Sequence, residues 1–288
     1  MWGRFNNHAR GAPQVLSAHP AIDAIDSGDL PTLNGILDRE PVLIAYRWRQ
    51  GTWYEEGYFA GAALLHHVAG NPIRCPLPPN IIEVAKCLLS RGADPNALTD
   101  AGQSTIHLLL TSKQASEAEV SLALIDLLSA AGAKDNLHEP NLLDFPLLND
   151  APWTAEELIR RGINMGLRHA AALGRLADMG RALTRDTWRV TLEEALVFAC
   201  IRGQEEAARL LVVQGVKGDT LTPVGGQTPR SALHEAANRG YLRIVKLLLE
   251  NGANPNVKEP RWNGTPAGWA EHGGHREIAE LLRQRAGD

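Results

Sequence analysis

Apolar residues in this chain recur at helical spacing, in short blocks punctuated by glycine. In the stretch 231–254, Leu233, Ala236 and Ala237 fall on one face of a short helix. Small alanines on that face let a neighbouring helix approach closely. Gly240 then permits a tight turn. Ile244, Val245, Leu247, Leu248 and Leu249 give a second helix a wider apolar face. Gly252 falls just past its end, where a left-handed C-cap is wanted. Neither helix buries its face alone, so the pattern calls for a stack of like units.

The two-part element returns along the chain. Ser231-Ala232-Leu233-His234-Glu235-Ala236-Ala237 aligns with Thr265-Pro266-Ala267-Gly268-Trp269-Ala270, 34 residues further on. Ala63-Leu64-Leu65-His66-His67-Val68-Ala69 and Ser104-Thr105-Ile106-His107-Leu108-Leu109 are earlier copies. The second part returns as Cys87-Leu88-Leu89-Ser90-Arg91-Gly92-Ala93-Asp94-Pro95-Asn96 and as Leu127-Leu128-Ser129-Ala130-Ala131-Gly132-Ala133. Its clearest copy is Val245-Lys246-Leu247-Leu248-Leu249-Glu250-Asn251-Gly252-Ala253-Asn254-Pro255-Asn256. These elements resemble the ankyrin repeat, a Thr-Pro-Leu-His-x-Ala turn and helix followed by a Val-x-x-Leu-Leu helix closed by Gly-Ala.

Turn glycines and Leu-Leu pairs give about eight units at a period of about 33 residues. The resemblance implies an all-α ankyrin-repeat solenoid of about eight helix-turn-helix units with finger loops. It spans 19–288 as a single domain behind an N-terminal arm, 1–18. The match is strong over 81–137 and 190–285 and degenerate over 138–186, where Leu167-Arg168-His169-Ala170-Ala171-Ala172-Leu173-Gly174 is the best fragment. In the sixth unit Val197 stands where the motif histidine belongs. Two stretches exceed the period. Residues 46–59 have hairpin-like alternation around Gly51, and 71–79 lengthen the turn inside the second unit. Extra residues in a stack go to its edges, where function often lies.

Composition narrows the partner. Twenty-nine basic against 33 acidic residues give a net charge of −4, so no strong overall field draws the chain to nucleic acid or anionic lipid. Arg47 and Arg49 flank Trp48 in a way that suits base stacking, but the acidic balance argues against that use. Cys75, Cys87 and Cys200 have neither disulfide nor zinc spacing. With no apolar leader and no long apolar run, the expectation is a cytoplasmic monomer that does not enter the membrane.

Catalytic chemistry is hard to find. His66, His107 and His234 fall on the motif's fourth position, and the resemblance implies that their imidazoles hydrogen-bond backbone in the inter-repeat turn. No nucleophile elbow, phosphate-binding glycine loop or zinc-binding helix motif occurs. His272-Gly273-Gly274-His275 is a weak match to a metal site. Adjacent carboxylates such as Glu205-Glu206 diverge by about 100° on a helix and read as solvated faces. No catalytic residue, metal or cofactor is assigned.

A groove remains. In this architecture the first helices line the concave side, and by that register the lining includes His169, Phe198 and Arg202. Two polar groups are close enough in the stack to converge: Asp23 with His67, and Glu235 and Arg239 with Trp269 and His272. The aromatics are also uneven. Tyr46, Trp48, Trp53, Tyr54, Tyr58 and Phe59 crowd one insertion, and Trp262 sits in the loop Glu259-Pro260-Arg261-Trp262-Asn263-Gly264. Aromatic and arginine side chains dominate binding hot spots. The reading is a non-catalytic protein- or peptide-binding scaffold that uses the concave face and finger loops. Its binding residues are Trp48, Trp53, Tyr54, Tyr58, His67, Glu235, Arg239, Trp262, Trp269 and His272. The alternative is a small-molecule binder or enzyme with a pocket between the 46–59 aromatic loop and the concave helices. A competing role for the aromatics is to seal the end of the stack.

Overall fold

A computed structural model describes residues 19–49, 59–70, 76–134, 142–183, 188–224 and 228–287. The chain divides into two compact units, Met1–Leu142 and Leu143–Asp288.

In the N-terminal unit, α1 (Pro20–Ser27) and α2 (Leu30–Arg39) form the first pair. A 3-10 turn, Pro41–Ala45, follows. A second 3-10 helix, Leu64–Ala69, pairs with α3 (Ile81–Ser90). In the third pair α4 (Thr105–Thr111) and α6 (Ser121–Ala130) are separated by the added helix α5 (Lys113–Glu117). The first elements of the pairs lie side by side: α1 packs on the 3-10 helix Leu64–Ala69, which packs on α4.

The C-terminal unit repeats the scheme with α7 (Asp144–Leu148) and α8 (Pro152–Arg160), α9 (Leu167–Ala172) and α10 (Leu176–Ala182), and α11 (Arg189–Ile201) and α12 (Glu205–Val213). Next come α13 (Ala232–Asn238) with α14 (Leu242–Glu250), and α15 (Pro266–His272) with α16 (Arg276–Gly287). Again α9, α11, α13 and α15 form one row of first helices. Among the described residues the helices thus arrange as eight pairs, the number read from the turn glycines. The all-α architecture and the repeat are as the sequence pattern implies.

Local signals explain the boundaries. Ser104, Ser231 and Thr265 cap α4, α13 and α15, each hydroxyl accepting from the backbone N–H three residues on. Gly252 has φ 80° after α14, the left-handed C-cap expected there. Gly240 also has φ 80°, and a side chain there would collide with the His275 ring. The core is a double row of leucine, isoleucine and alanine. Leu233, Ala236, Ala237, Val245 and Leu248 are almost fully buried in the α13–α14 pair. Fingers between pairs close through isolated antiparallel bridges, Trp48 with Ala62, Leu98 with Ser104 and Thr222 with Arg230. Among the described residues no helix is long and apolar enough to cross a membrane.

Leu248 gives the packing a direct test. Its truncation to alanine is expected to cost about 2–5 kcal/mol, read as a lower urea midpoint, because the side chain is removed from a continuous core. A Cβ on Gly218 would lie 2.9 Å from Leu248 Cδ2, so Gly218→Ala alone is also destabilising. In the double variant the second change is expected to cost less than it does alone, since the Cδ contacts are gone and only Leu248 Cβ, 3.1 Å away, remains close; strict additivity of the two losses contradicts this packing.

Candidate functional site

The histidines of the repeat motif act as staples. His66 Nδ1 accepts from the Ala63 N–H at 3.0 Å, and its Nε2 donates to the Ala97 carbonyl at 3.0 Å in the next finger. His234 repeats the arrangement, with Ser231 Oγ on Nδ1 at 2.8 Å and the Gly264 carbonyl 3.0 Å from Nε2. Each imidazole thereby ties a helix start to the finger that follows. Burial pushes both imidazoles below the ordinary histidine range, ahead of the opposing effect of their backbone hydrogen bonds.

The finger held by His234 is built around a buried acid. Glu259 is almost completely enclosed. Its carboxylate accepts from the backbone N–H groups of Arg261 at 2.7 Å, Trp262 at 2.9 Å and Gly264 at 3.1 Å. The Glu259 N–H closes the loop on the Gly264 carbonyl at 3.1 Å. Asn263 takes the left-handed conformation, φ 54°, that asparagine tolerates better than most residues. At the tip Arg261 stacks over the Trp262 ring, 4.7 Å from its centroid. Trp262 is 60% exposed. A large aromatic is thus held in solvent by a tight turn, already ordered before any contact is made.

Beside this finger runs a row of charges on the first helices. Glu235, buried on α13, pairs with Arg230 from the preceding finger and with Arg239 Nε at 3.2 Å. Arg239 also reaches Asp150 Oδ1 at 3.3 Å, and Arg202 at the end of α11 pairs with the same oxygen. The structure pairs Glu235 with Arg239 and adds Asp150, Arg202 and Arg230 to the group. Trp269 is half-buried with its ring edge-on to His234, centroids 5.1 Å apart. His272 is exposed at the end of α15.

Other residues sit differently from the expected groove. Trp48 is only 5% exposed; its ring packs edge-on against His19 and Tyr46, at 5.5 and 4.8 Å between centroids. That is the position of a seal over the first pair, because the bridge to Ala62 turns the side chain inward. Arg47 and Arg49 both pair with Asp100, so their guanidiniums are already engaged by a carboxylate. His67 is enclosed, with the Phe59 ring 5.3 Å away, and does not line an open face. Trp53, Tyr54 and Tyr58 lie outside the described residues, as do Cys75 and most of the 46–59 loop.

His169 and Phe198 are also buried and line no groove. Helix α9 is one residue shorter than α13, so a register counted back from the turn glycine slips by one. Counted from the helix start, His169 is the motif histidine: its Nδ1 accepts from the Gly166 N–H at 2.9 Å. Its Nε2 turns to buried Asp144 at 2.8 Å instead of to a finger carbonyl, and Arg168 Nε holds the same carboxylate at 2.7 Å. Cys200 is enclosed, and burial pushes its thiol far above the ordinary range, the setting of an inert side chain.

These repeated pairs, histidine staples and finger turns define a class. The family model described as ankyrin repeats in three copies matches residues 167–259 and 196–288. Cyclin-dependent kinase 4 inhibitor B of Rattus norvegicus is 33% identical over 130 residues, which cover 44% of this chain and 97% of the inhibitor. The chain belongs to the ankyrin-repeat family. The inhibitor of the same name from Homo sapiens is 33% identical over 86 residues, 30% of this chain and 59% of that protein. The B-cell lymphoma 3 protein homolog of Mus musculus is 26% identical over 218 residues, 75% of this chain and 42% of that protein. The chain thus spans about three-fifths of the human inhibitor's length and less than half of the mouse protein's.

The staples give stability a pH dependence of known sign. The unfolded chain binds protons at histidine near pH 6.5, whereas the folded chain resists them at His66 and His234 until lower pH. Melting temperature is therefore expected to be level above about pH 7 and to fall as pH drops through about 6.5. His234→Ala should cost about 1–3 kcal/mol at pH 7.5 by removing the buried ring that joins Ser231 to the Gly264 carbonyl, and should show a shallower acid fall. A melting temperature that rises between pH 7 and 5.5 contradicts the assignment.

Proposed function

We propose that the chain is a non-catalytic scaffold that binds a protein or peptide with the first-helix row and the fingers of its C-terminal unit. The observation that carries this reading is the finger 259–264. Three backbone N–H groups on the Glu259 carboxylate hold Trp262 exposed with Arg261 stacked on it. Binding a partner on a surface that is already ordered avoids the entropy cost of fixing a loop. Tryptophan and arginine are the side chains that contribute most at such contacts. Glu235 and Arg239 belong to α13 and its C-cap, the helix whose His234 holds the finger, and Trp269 and His272 lie on α15, which follows it. The relatives' names point the same way, since a kinase inhibitor acts on another protein. In the N-terminal unit the aromatic insertion extends the reading through Trp53, Tyr54 and Tyr58. Trp48 and His67 are buried and serve the packing of that unit. The cysteine spacing favours a reducing, cytoplasmic setting.

Photo-crosslinking locates the surface. With p-benzoylphenylalanine replacing Trp262, and in a second variant Val213 on the second helix α12, irradiation in host cells is expected to give partner adducts at 262 and none at 213. Adducts at 213 alone contradict the assignment of the face. In a purified complex, Trp262→Ala is expected to weaken binding roughly thirty-fold while the melting temperature holds.

A further inference from the structure

On the first-helix row of the C-terminal unit, two consecutive repeats place an arginine at the same position, the residue just before the turn glycine. Arg202 precedes Gly203 and Arg239 precedes Gly240. The neighbouring repeats have Leu173 and Gly273 there, so the pair is confined to these two. Both guanidiniums converge on one atom, Oδ1 of Asp150, which comes from the loop between α7 and α8.

The members of this cluster are held very unequally. The arginine side chains are 18% and 23% exposed, whereas Asp150 is 66% exposed. Asp150 also has φ 58°, a left-handed conformation that suits few side chains. Glu235 is fixed beneath the cluster by Arg230 and Arg239. Of the carboxylates facing Arg202 and Arg239, Glu235 is buried and only that of Asp150 lies toward solvent. If Asp150 swings out, Arg202 loses its carboxylate and Arg239 keeps only the Glu235 that it shares with Arg230. Arg202 Nε has no hydrogen-bond partner among the described residues, so this guanidinium retains a donor for a two-point carboxylate contact.

We propose that Arg202 and Arg239 form a carboxylate seat for an acidic peptide, and that Asp150 is the chain's own occupant of that seat in the free state. An aspartate or glutamate side chain of the bound segment displaces Asp150 and takes both guanidiniums. This deepens the scaffold reading and rests on it, by giving the partner a chemistry. A nucleic acid fits less well, because its affinity grows with a series of phosphate contacts, while this seat is single and the chain is acidic overall.

Fluorescence anisotropy at low salt tests the seat with a short labelled peptide alternating glutamate and alanine, its glutamine analogue, and an oligothymidine of equal charge. The glutamate peptide should bind in preference to both others. Asp150→Asn keeps a residue that accepts the left-handed backbone and removes the competing charge, so it should tighten binding about fivefold. Arg202→Gln and Arg239→Gln should each weaken it about tenfold, with circular dichroism unchanged. Equal or weaker binding by Asp150→Asn, no measurable binding by any variant, or stronger binding of the oligothymidine each overturns the proposal. If crosslinks at position 262 form while the seat fails these tests, the scaffold reading stands and only the seat is lost. If neither is seen, both fall.

Discussion

Among the described residues no helix pair buries its own apolar face alone, and the rest of the structure follows from that constraint. A pair such as α13 and α14 offers leucines and small alanines to the pairs on either side, and each neighbour completes the other's core. Close approach demands small residues on the first helix, hence Ala236 and Ala237. It also demands that the turn between helices be tight, hence Gly240 against the His275 ring. Stacking alone does not set how the connecting fingers sit. The histidine staples do that, with His66 and His234 each joining a helix start to the following finger through one buried ring.

Once packing has claimed the apolar faces, the solvent-facing positions of the first helices and fingers are free to vary. The C-terminal unit uses that freedom with a consistent logic. Buried carboxylates organise what stands above them: Glu259 orders the turn that carries Trp262, and Glu235 fixes Arg230 and Arg239. Charge and aromatic surface are thereby presented on rigid supports, which is what specific recognition with little ordering cost requires. In the N-terminal unit Trp48 turns inward and seals the first pair, and Asp100 pairs with both Arg47 and Arg49.

Much of the fold was legible in the residues. The Leu-Leu pairs, the turn glycines and the Ser/Thr caps mark helix pairs because each reports a local requirement that no neighbour can override. His66 and His234 were legible for the same reason, sitting at a fixed distance from their caps. His169 was not, since one residue missing from α9 shifts the register between the cap and the turn. Nor was the inward turn of Trp48, because strand alternation in a short bridge does not say which face meets the core. Asp150 left no local signal at all. Its role depends on Arg202 and Arg239, which are 52 and 89 residues away and meet it only once the repeats have stacked. The identical Arg-Gly spacing at 202–203 and 239–240 was the one clue to that meeting.

In the proposed scaffold the first-helix row and the 259–264 finger form the contact surface while the second helices serve as support. Amide hydrogen exchange of the full chain, free and bound to its host partner, distinguishes the two sets of helices. Added protection on binding is expected at 259–264 and at the ends of α11 and α13, with α12 and α14 unchanged. Protection confined to α12 and α14, with the finger exchanging as it does in the free chain, contradicts it.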